Sequence, residues 1–454
     1  MEIDRLYVYG TAGVIVALVL SQIFRKGFDP FAPIWLFLTG YAQVYVIQAI
    51  SYRDYALRAR GIDVTTLANS RAFWALLWFL AIYYSGLGKL IARRLPKAPS
   101  NWSQGMIMGF SPLLIAWGLA CAGLVIAIGR SETGQVLLRP EQRLWLQFPT
   151  VQLVAAILLI VTGRQPDRPR PILTWAGILT AVSYTLIWMF FGRRSHALFG
   201  ILTAVAAYYL PRYRRPSLGT LGVTALAGCV AVTLALGWRN TRDRQYEKTV
   251  AGFIEFAGDF DPSAILVNLN IKEPEGKRDL ATLEATSRET EEYCGYLLML
   301  DTVPHRSAYD YGSSYLRLFS TYIPRFIWKD KPYFGREQWI SAWIAGSEFA
   351  RKNDFTGPAI SILGAAQLNG GFWGTLIVMG SVSLLIRTAY DYFRYHAASP
   401  WAQAWWALTY YSAWLMTVND DPFVWFYYLY GHTTLPPLAF LWLYHRFSGQ
   451  GAHG

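Results

Sequence analysis

Residues 188–200 read WMFFGRRSHALFG. Arg193 and Arg194 interrupt an apolar run that extends from Ile172 to Leu210, and His196 follows them. An arginine at the centre of a bilayer costs about 2.5–3.5 kcal/mol. A pair inside such a run therefore calls for a surface turn or an anionic partner. A guanidinium is a natural partner for phosphate, because its planar fork meets two oxygens at once and stays charged. A second set of reactive residues lies in CGYLLMLDTVPHRSAYDYGSSYLRLFSTYIPRFIWKDKPYFG. Arg317 and Arg325 form another cationic pair there, with Lys331 a weaker third and Arg306 nearby. His305 is the first candidate for a general base, since histidine titrates near neutrality. Glu348, Asp310 and His196 are the alternatives. Against these readings stand plainer ones. Arginines at an interface snorkel without binding anything specific, and a single loop histidine is more often inert than catalytic.

Other candidates are less telling. Asp420 and Asp421 sit in NDDP, where an aspartate before proline suits a helix cap; binding of an acceptor sugar is the functional alternative. Asp259 and Asp261 form a D-x-D without nucleotide-binding context. Tyr315 and Tyr322 offer flat faces for sugars, although aromatic belts at membrane interfaces explain such residues equally well. The six histidines show no H-x-x-x-H or H-E-x-x-H spacing, so no metal is expected. No Walker A motif is present, and the three cysteines build no disulfide framework.

The elements that must position these residues are membrane helices. Of 454 residues, 54% are hydrophobic and 15% charged, against about 25% charged in a soluble domain. Apolar runs near the ~20 residues that cross a bilayer occur around 6–24, 31–50, 72–92, 106–128, 144–162, 172–191, 197–210, 218–238, 358–386, 401–417 and 422–444. The seventh is short enough to be broken or tilted. The first lacks a small-residue cleavage site and reads as a span, not a leader. The expected fold is thus an all-α polytopic membrane protein of about eleven spans. It divides into an N-terminal bundle (1–238), one large loop (239–356) and C-terminal helices (357–454).

The short connections fall into two sets, with 13 and 9 Lys/Arg, and the richer set is expected to be cytoplasmic. The large loop, GRRSH and NDDP then share the external face. The loop holds 16 Lys/Arg against 18 Asp/Glu, so the overall +12 belongs to the membrane part. No nucleic-acid-binding pattern accompanies that charge. Inside the loop, the charged stretch 272–292 is expected to be a solvated helix. A helix from Ser313 to Tyr322 places Tyr315, Leu318, Phe319 and Tyr322 on one face, and this half-loop is expected at the membrane surface.

Three phrases in order resemble the bacterial oligosaccharide repeat-unit polymerases, the O-antigen polymerase (Wzy-type) family. They are GRRSH ending a span, YGSSYLRLFSTYIPRFIWKDKP in the large loop, and TGPAISILGAAQLNGGFWG opening the next span. The resemblance covers roughly residues 188–374. It implies a metal-independent glycosyltransferase without cofactor, in the bacterial inner membrane, with its large loop on the periplasmic side. Such enzymes take a glycan from undecaprenyl diphosphate and join it to another lipid-linked repeat unit. They share a helical, GT-C-like architecture with O-antigen ligases. Membrane lipid, a chain-length regulator and a flippase are the partners the resemblance implies. On it, Arg193, Arg194, Arg317, Arg325 and Lys331 would hold the diphosphate. His305, Glu348 or Asp310 would serve as base, and His196, Arg306, Asp420, Asp421, Tyr315 and Tyr322 would contact the acceptor. One departure stands out: many relatives carry Glu in a G-E-x-x-x-N phrase, where this chain has Gly364-Ala365-Ala366-Gln367-Leu368-Asn369. An O-antigen ligase-like transferase and a lipid-linked glycan flippase are the competing expectations.

Overall fold

The structure is a computed structural model that describes residues 3–23, 28–100, 102–128, 145, 147–240, 246–247, 249–261, 265, 291–320, 323, 327–331, 336–346, 359–418 and 433–448. Among the described residues every regular element is a helix. In chain order these include α1 (Ile3–Ile23), α2 (Pro33–Ala42), α3 (Arg53–Tyr84), α4 (Leu87–Arg94), α5 (Gln104–Ile128) and α6 (Thr150–Arg164). Next come α7 (Pro171–Phe190), α8 (Arg194–Tyr209), α9 (Leu218–Asn240), α10 (Val250–Gly258), α11 (Glu292–Thr302) and α12 (Ser313–Ser320). The last are α13 (Arg336–Gly346), α14 (Ser361–Tyr395), α15 (Pro400–Thr409), α16 (Ser412–Val418) and α17 (Leu435–Ser448). Among the described residues six helices are long and apolar enough to cross a membrane: α1, α2 extended to Ser51, α5, α7, α9 and α14. The α3–α4 pair, bent by 48°, is a seventh. The remaining predicted spans take other forms. Segment 144–162 yields a helix of 15 residues, and 197–210 one of 16. Segment 401–417 is broken between α15 and α16, and 422–444 lies partly outside the described residues.

The chain divides into two compact units. The first comprises Met1–Leu95, Lys277–Tyr395 and Ser412–Tyr427, the second Pro96–Gly276, His396–Tyr411 and Tyr428–Gly454. The stretch 239–356 is thereby shared between them.

In the first unit, α3 buries Thr65, Ala68, Asn69, Ala72, Ala75, Leu76, Phe79 and Tyr83. That spacing is one helical face, and its alanines let neighbours approach closely. α2 runs antiparallel to it, with Tyr41 bonded to the Ala72 carbonyl at 2.6 Å and Phe37 stacked on Phe79 at 3.7 Å. α14 runs parallel to it. Gly370 and Gly371, the latter at φ 60°, interrupt α14. Before them, Ser361–Asn369 is buried throughout; after them, 372–395 is long enough to span. α11 is buried from Glu292 to Leu300 and again at Thr302. An 11-residue apolar helix of this kind is a core element, not a crossing.

The second unit is an up-and-down series. α6 is buried from Thr150 to Gly163. It runs antiparallel to α5: the Gly118 position abuts Gln152 near one end, and the Trp102 indole bonds Thr162 at 2.9 Å near the other. α7 reverses again, with Gln152 bonded to Ser183 at 3.1 Å. α8 and α9 continue the alternation, with Arg164 stacked on Tyr208 at 3.8 Å and the Trp238 indole bonded to the Phe190 carbonyl at 2.8 Å. Glycine permits a close crossing of α6 and α7: a Cβ on Gly177 would lie 2.6 Å from the Ala156 carbonyl oxygen. Gly177→Leu is therefore expected to lower the thermal midpoint of the detergent-solubilised protein by several degrees, since overpacking costs about 1–3 kcal/mol. Gly123→Leu, where a Cβ meets nothing within 4 Å, should leave it unchanged. Equal midpoints, followed by size-exclusion fluorescence on heating, would count against this packing.

Candidate functional site

GRRSH forms the turn between α7 and α8 in the second unit. Gly192, at φ 65°, ends α7 in the left-handed conformation that favours glycine. Its amide donates to the Met189 carbonyl and that of Arg193 to the Trp188 carbonyl, each at 2.9 Å. Arg193 stands at the N-cap of α8, and both Arg193 and Arg194 are exposed. His196 does not face solvent freely; its ring stacks on Trp188 at 4.0 Å. Ser195 is held from the other side, its carbonyl accepting from the Tyr411 hydroxyl at 3.1 Å.

The structure adds a third cation. Arg239 at the end of α9 is exposed and packs on the turn, so that a Cβ on Gly192 would lie 3.0 Å from its own Cβ. Trp238, the neighbour of Arg239 in sequence, anchors an aromatic cluster. Trp238 meets Phe253 at 5.3 Å and Phe256 at 5.6 Å, both from α10. α10 starts on the Thr249 cap and leaves Val250 and Ile254 exposed, the pattern of a helix lying at an interface. Asp259, half of the D-x-D, accepts from Tyr246 at 2.8 Å.

The first unit holds the other candidates. His305 and Arg306 are exposed just after α11. Arg306 donates to the Ala345 carbonyl at 3.2 Å and reaches Asp301 at 3.9 Å. Asp310 is buried at the start of α12. One oxygen accepts from the Ser314 amide at 2.6 Å, and the other from the Ser313 hydroxyl. That is N-capping geometry. Asn369 completes the joint, accepting from the Gly312 amide and the Ser314 hydroxyl, each at 2.9 Å. Lys331 closes the other end of the helix by donating to the carbonyls of Ser320 and Ile323 at 3.1 and 3.0 Å. Both charged groups thus fix α12, which the sequence placed at Ser313–Tyr322 and which is helical over Ser313–Ser320. Leu316 and Phe319 are exposed along it, and Tyr315 is partly buried. Arg317 lies on the same helix, and its side chain is outside what the structure describes. Tyr322, Arg325, Glu348, Asp420 and Asp421 also lie outside the described residues, as do Pro324 and nearly all of 272–292.

The structure therefore groups Arg193, Arg194 and His196 in one unit, and His305, Arg306, Asp310, Tyr315 and Lys331 in the other. Among the described residues no three His, Cys, Asp or Glu side chains converge as metal ligands. No protein family, curated protein or solved structure matches the chain.

Sequence reasoning missed Arg239, whose signal was its place at the end of an apolar run. It also missed the capping role of Asp310, visible only as Asp-x-x-Ser once a helix is known to start there. Asp310→Ala is expected to raise amide hydrogen exchange across Ser313–Ser320 about fivefold, since an N-cap contributes about 1 kcal/mol. Asp310→Ser should restore wild-type protection; failure of serine to do so would remove the capping assignment.

Proposed function

We propose that the chain is a membrane glycosyltransferase that polymerises undecaprenyl-diphosphate-linked oligosaccharide repeat units on the outer face of the bacterial plasma membrane. One observation carries the reading: Arg193, Arg194 and Arg239 are gathered, exposed, at the ends of two apolar helices each long enough to span a membrane. Cations so placed suit a lipid diphosphate at headgroup depth. The resemblance of three phrases to the O-antigen polymerases supports the sugar chemistry. In this reading the protein has the eleven-span, GT-C-like architecture expected of that family, with 239–356 facing the periplasm. A chain-length regulator and a flippase are its working partners.

The reaction joins an acceptor hydroxyl to the anomeric carbon of the donor glycan. The bond from that carbon to the diphosphate oxygen breaks, and its electron pair leaves with the diphosphate. Guanidiniums stabilise that departing charge. The hydroxyl proton passes to a base, a role we give to His305. It is exposed and has no side-chain partner among the described residues, whereas both oxygens of Asp310 are engaged by α12. Arg317, Arg325 and Lys331 remain the second cationic set in this proposal, and Glu348 the alternative base. The acceptor contacts remain His196, Arg306, Asp420, Asp421, Tyr315 and Tyr322.

A flippase is the second reading, favoured by the interruptions of α3 at Gly61 and α14 at Gly370–Gly371, since transporters often bind at broken helices. Purified protein in vesicles with lipid-linked repeat units separates the two: chain growth without a proton gradient supports polymerisation, and movement of unextended lipid supports flipping. Arg194→Ala is expected to reduce chain growth at least a hundredfold while the protein still inserts. Wild-type polymer from that variant would sink the clamp. Growth is expected to continue in excess EDTA, and strict dependence on a divalent ion would overturn the arginine-only mechanism.

A further inference from the structure

α3 carries three arginines that reach neighbouring segments of the first unit, and two of them meet a carboxylate there. Arg53 pairs with Asp4 at 2.8 Å. Arg60 pairs with Asp301 at 3.0 Å and donates its other nitrogen to the Gly346 carbonyl at 2.7 Å. Farther along the membrane part, Arg387 pairs with Asp391 at 2.7 Å. Arg71 differs from all of these. Its Nη1 donates to Oε1 of Gln367, a neutral group. Among the described residues no carboxylate pairs with it. Gln367 has no freedom to present anything else: it is 3% exposed, and its Nε2 donates to the Val303 carbonyl at 2.6 Å. A carbonyl only accepts, so the amide nitrogen must face Val303 and the oxygen must face Arg71.

Arg71 is partly buried, with Ala68, Asn69 and Ala72 buried beside it. It stands where a predicted span begins, inside α3 and past the interruption at Gly61, in a helix pair long and apolar enough to cross. A half-buried cation at such a place is costly without a counter-charge, and ionisable groups in membrane segments mark functional sites. One of its five N–H donors meets Gln367; others remain for an anion.

We propose that Arg71 binds an oxyanion of a lipid-linked phosphate or diphosphate, with Gln367 as its positioning residue. The identification of that anion as a polyprenyl diphosphate rests on the function proposed above; the anion site itself does not. A polymerase acts on two lipid-linked molecules, each with its own diphosphate, so an anion site in the first unit is additional to the three arginines of the second.

The test uses the purified full-length protein in detergent, with phenylglyoxal modification of Arg71 read by peptide mass spectrometry. Farnesyl diphosphate is expected to slow that modification at least fivefold, and farnesol to leave it unchanged. Unchanged modification with farnesyl diphosphate, or an Arg71 that does not react even without ligand, would overturn the proposal. Protection by phosphatidylglycerol alone would overturn the diphosphate assignment. R71Q should weaken farnesyl diphosphate binding about tenfold or more, while the labelling of wild-type protein decides the question should that variant not fold. Gln367→Glu supplies an internal counter-charge and should abolish the preference for farnesyl diphosphate over farnesol, which mere loosening would not do; an unchanged preference removes Gln367 from the site. Protection of Arg71 in a protein that makes no polymer would sink the functional reading and leave the anion site standing.

Discussion

The first unit hangs on the carboxamide of Gln48. Its oxygen accepts from the Tyr293 amide at 3.0 Å, and its nitrogen donates to Glu292 at 2.6 Å and Glu291 at 3.2 Å. Those groups open α11, whose first amides have no partner within the helix. A buried helix end without such partners would be prohibitively unstable in apolar surroundings. The π-helical turn at Gln43–Gln48 brings Gln48 to this point, and such turns often mark functional positions. Tyr293 extends the network by donating to Asn69 at 2.7 Å, and Asn69 donates to the Asp4 carbonyl at 3.3 Å. Anchored at its start, α11 sets where Asp301 meets Arg60 and where Val303 holds Gln367. Through Gln367 it sets the direction of Arg71. A chain of hydrogen bonds from α2 thus fixes a cation on α3.

Three arginines of the first unit are held by carboxylates. Asp4, Asp301 and Asp391 each neutralise an arginine across or along helices. The arginines assigned to anions are placed differently: Arg71 donates to a neutral amide, and Arg193, Arg194 and Arg239 are exposed. Conversely, Asp310 and Lys331 are spent on the two ends of α12. The same residue types therefore serve opposite purposes, and composition alone does not separate them.

That explains what could be read from the sequence and what could not. Runs of apolar residues announced α1, α2, α5, α7, α9 and α14, because transfer into lipid depends on composition alone. The Ser313 helix was legible from its periodicity, and the GRRSH turn from glycine and charge inside an apolar run. Hydropathy does not distinguish lipid from protein as the apolar surroundings. CGYLLMLDT thus read as part of a surface loop, although α11 is wrapped by α3, α13, α14 and the π-helical turn Gln43–Gln48. The run 358–386 read as one span, although two glycines split off a buried segment before the crossing. Arg71 read as a loop residue because the apolar run starts at Ala72; the helix that contains it is held by contacts hundreds of residues away.

Topology offers an internal check on the membrane reading. Within the first unit, contacts between α3–α4 and α14 advance together: Arg71 with Gln367, Trp78 with the Leu376 carbonyl, the Phe79 carbonyl with Ser383, Tyr83 with Arg387, and Arg93 with Tyr395. The two run parallel, so both start from the same side. The contacts from Arg71 to Tyr395 run along both helices, so the α3–α4 pair and α14 form one parallel ridge of the first unit. Two long apolar helices entered from one face would pack in this way, and the buried segment Ser361–Asn369 before the Gly370–Gly371 break lies against the start of that ridge.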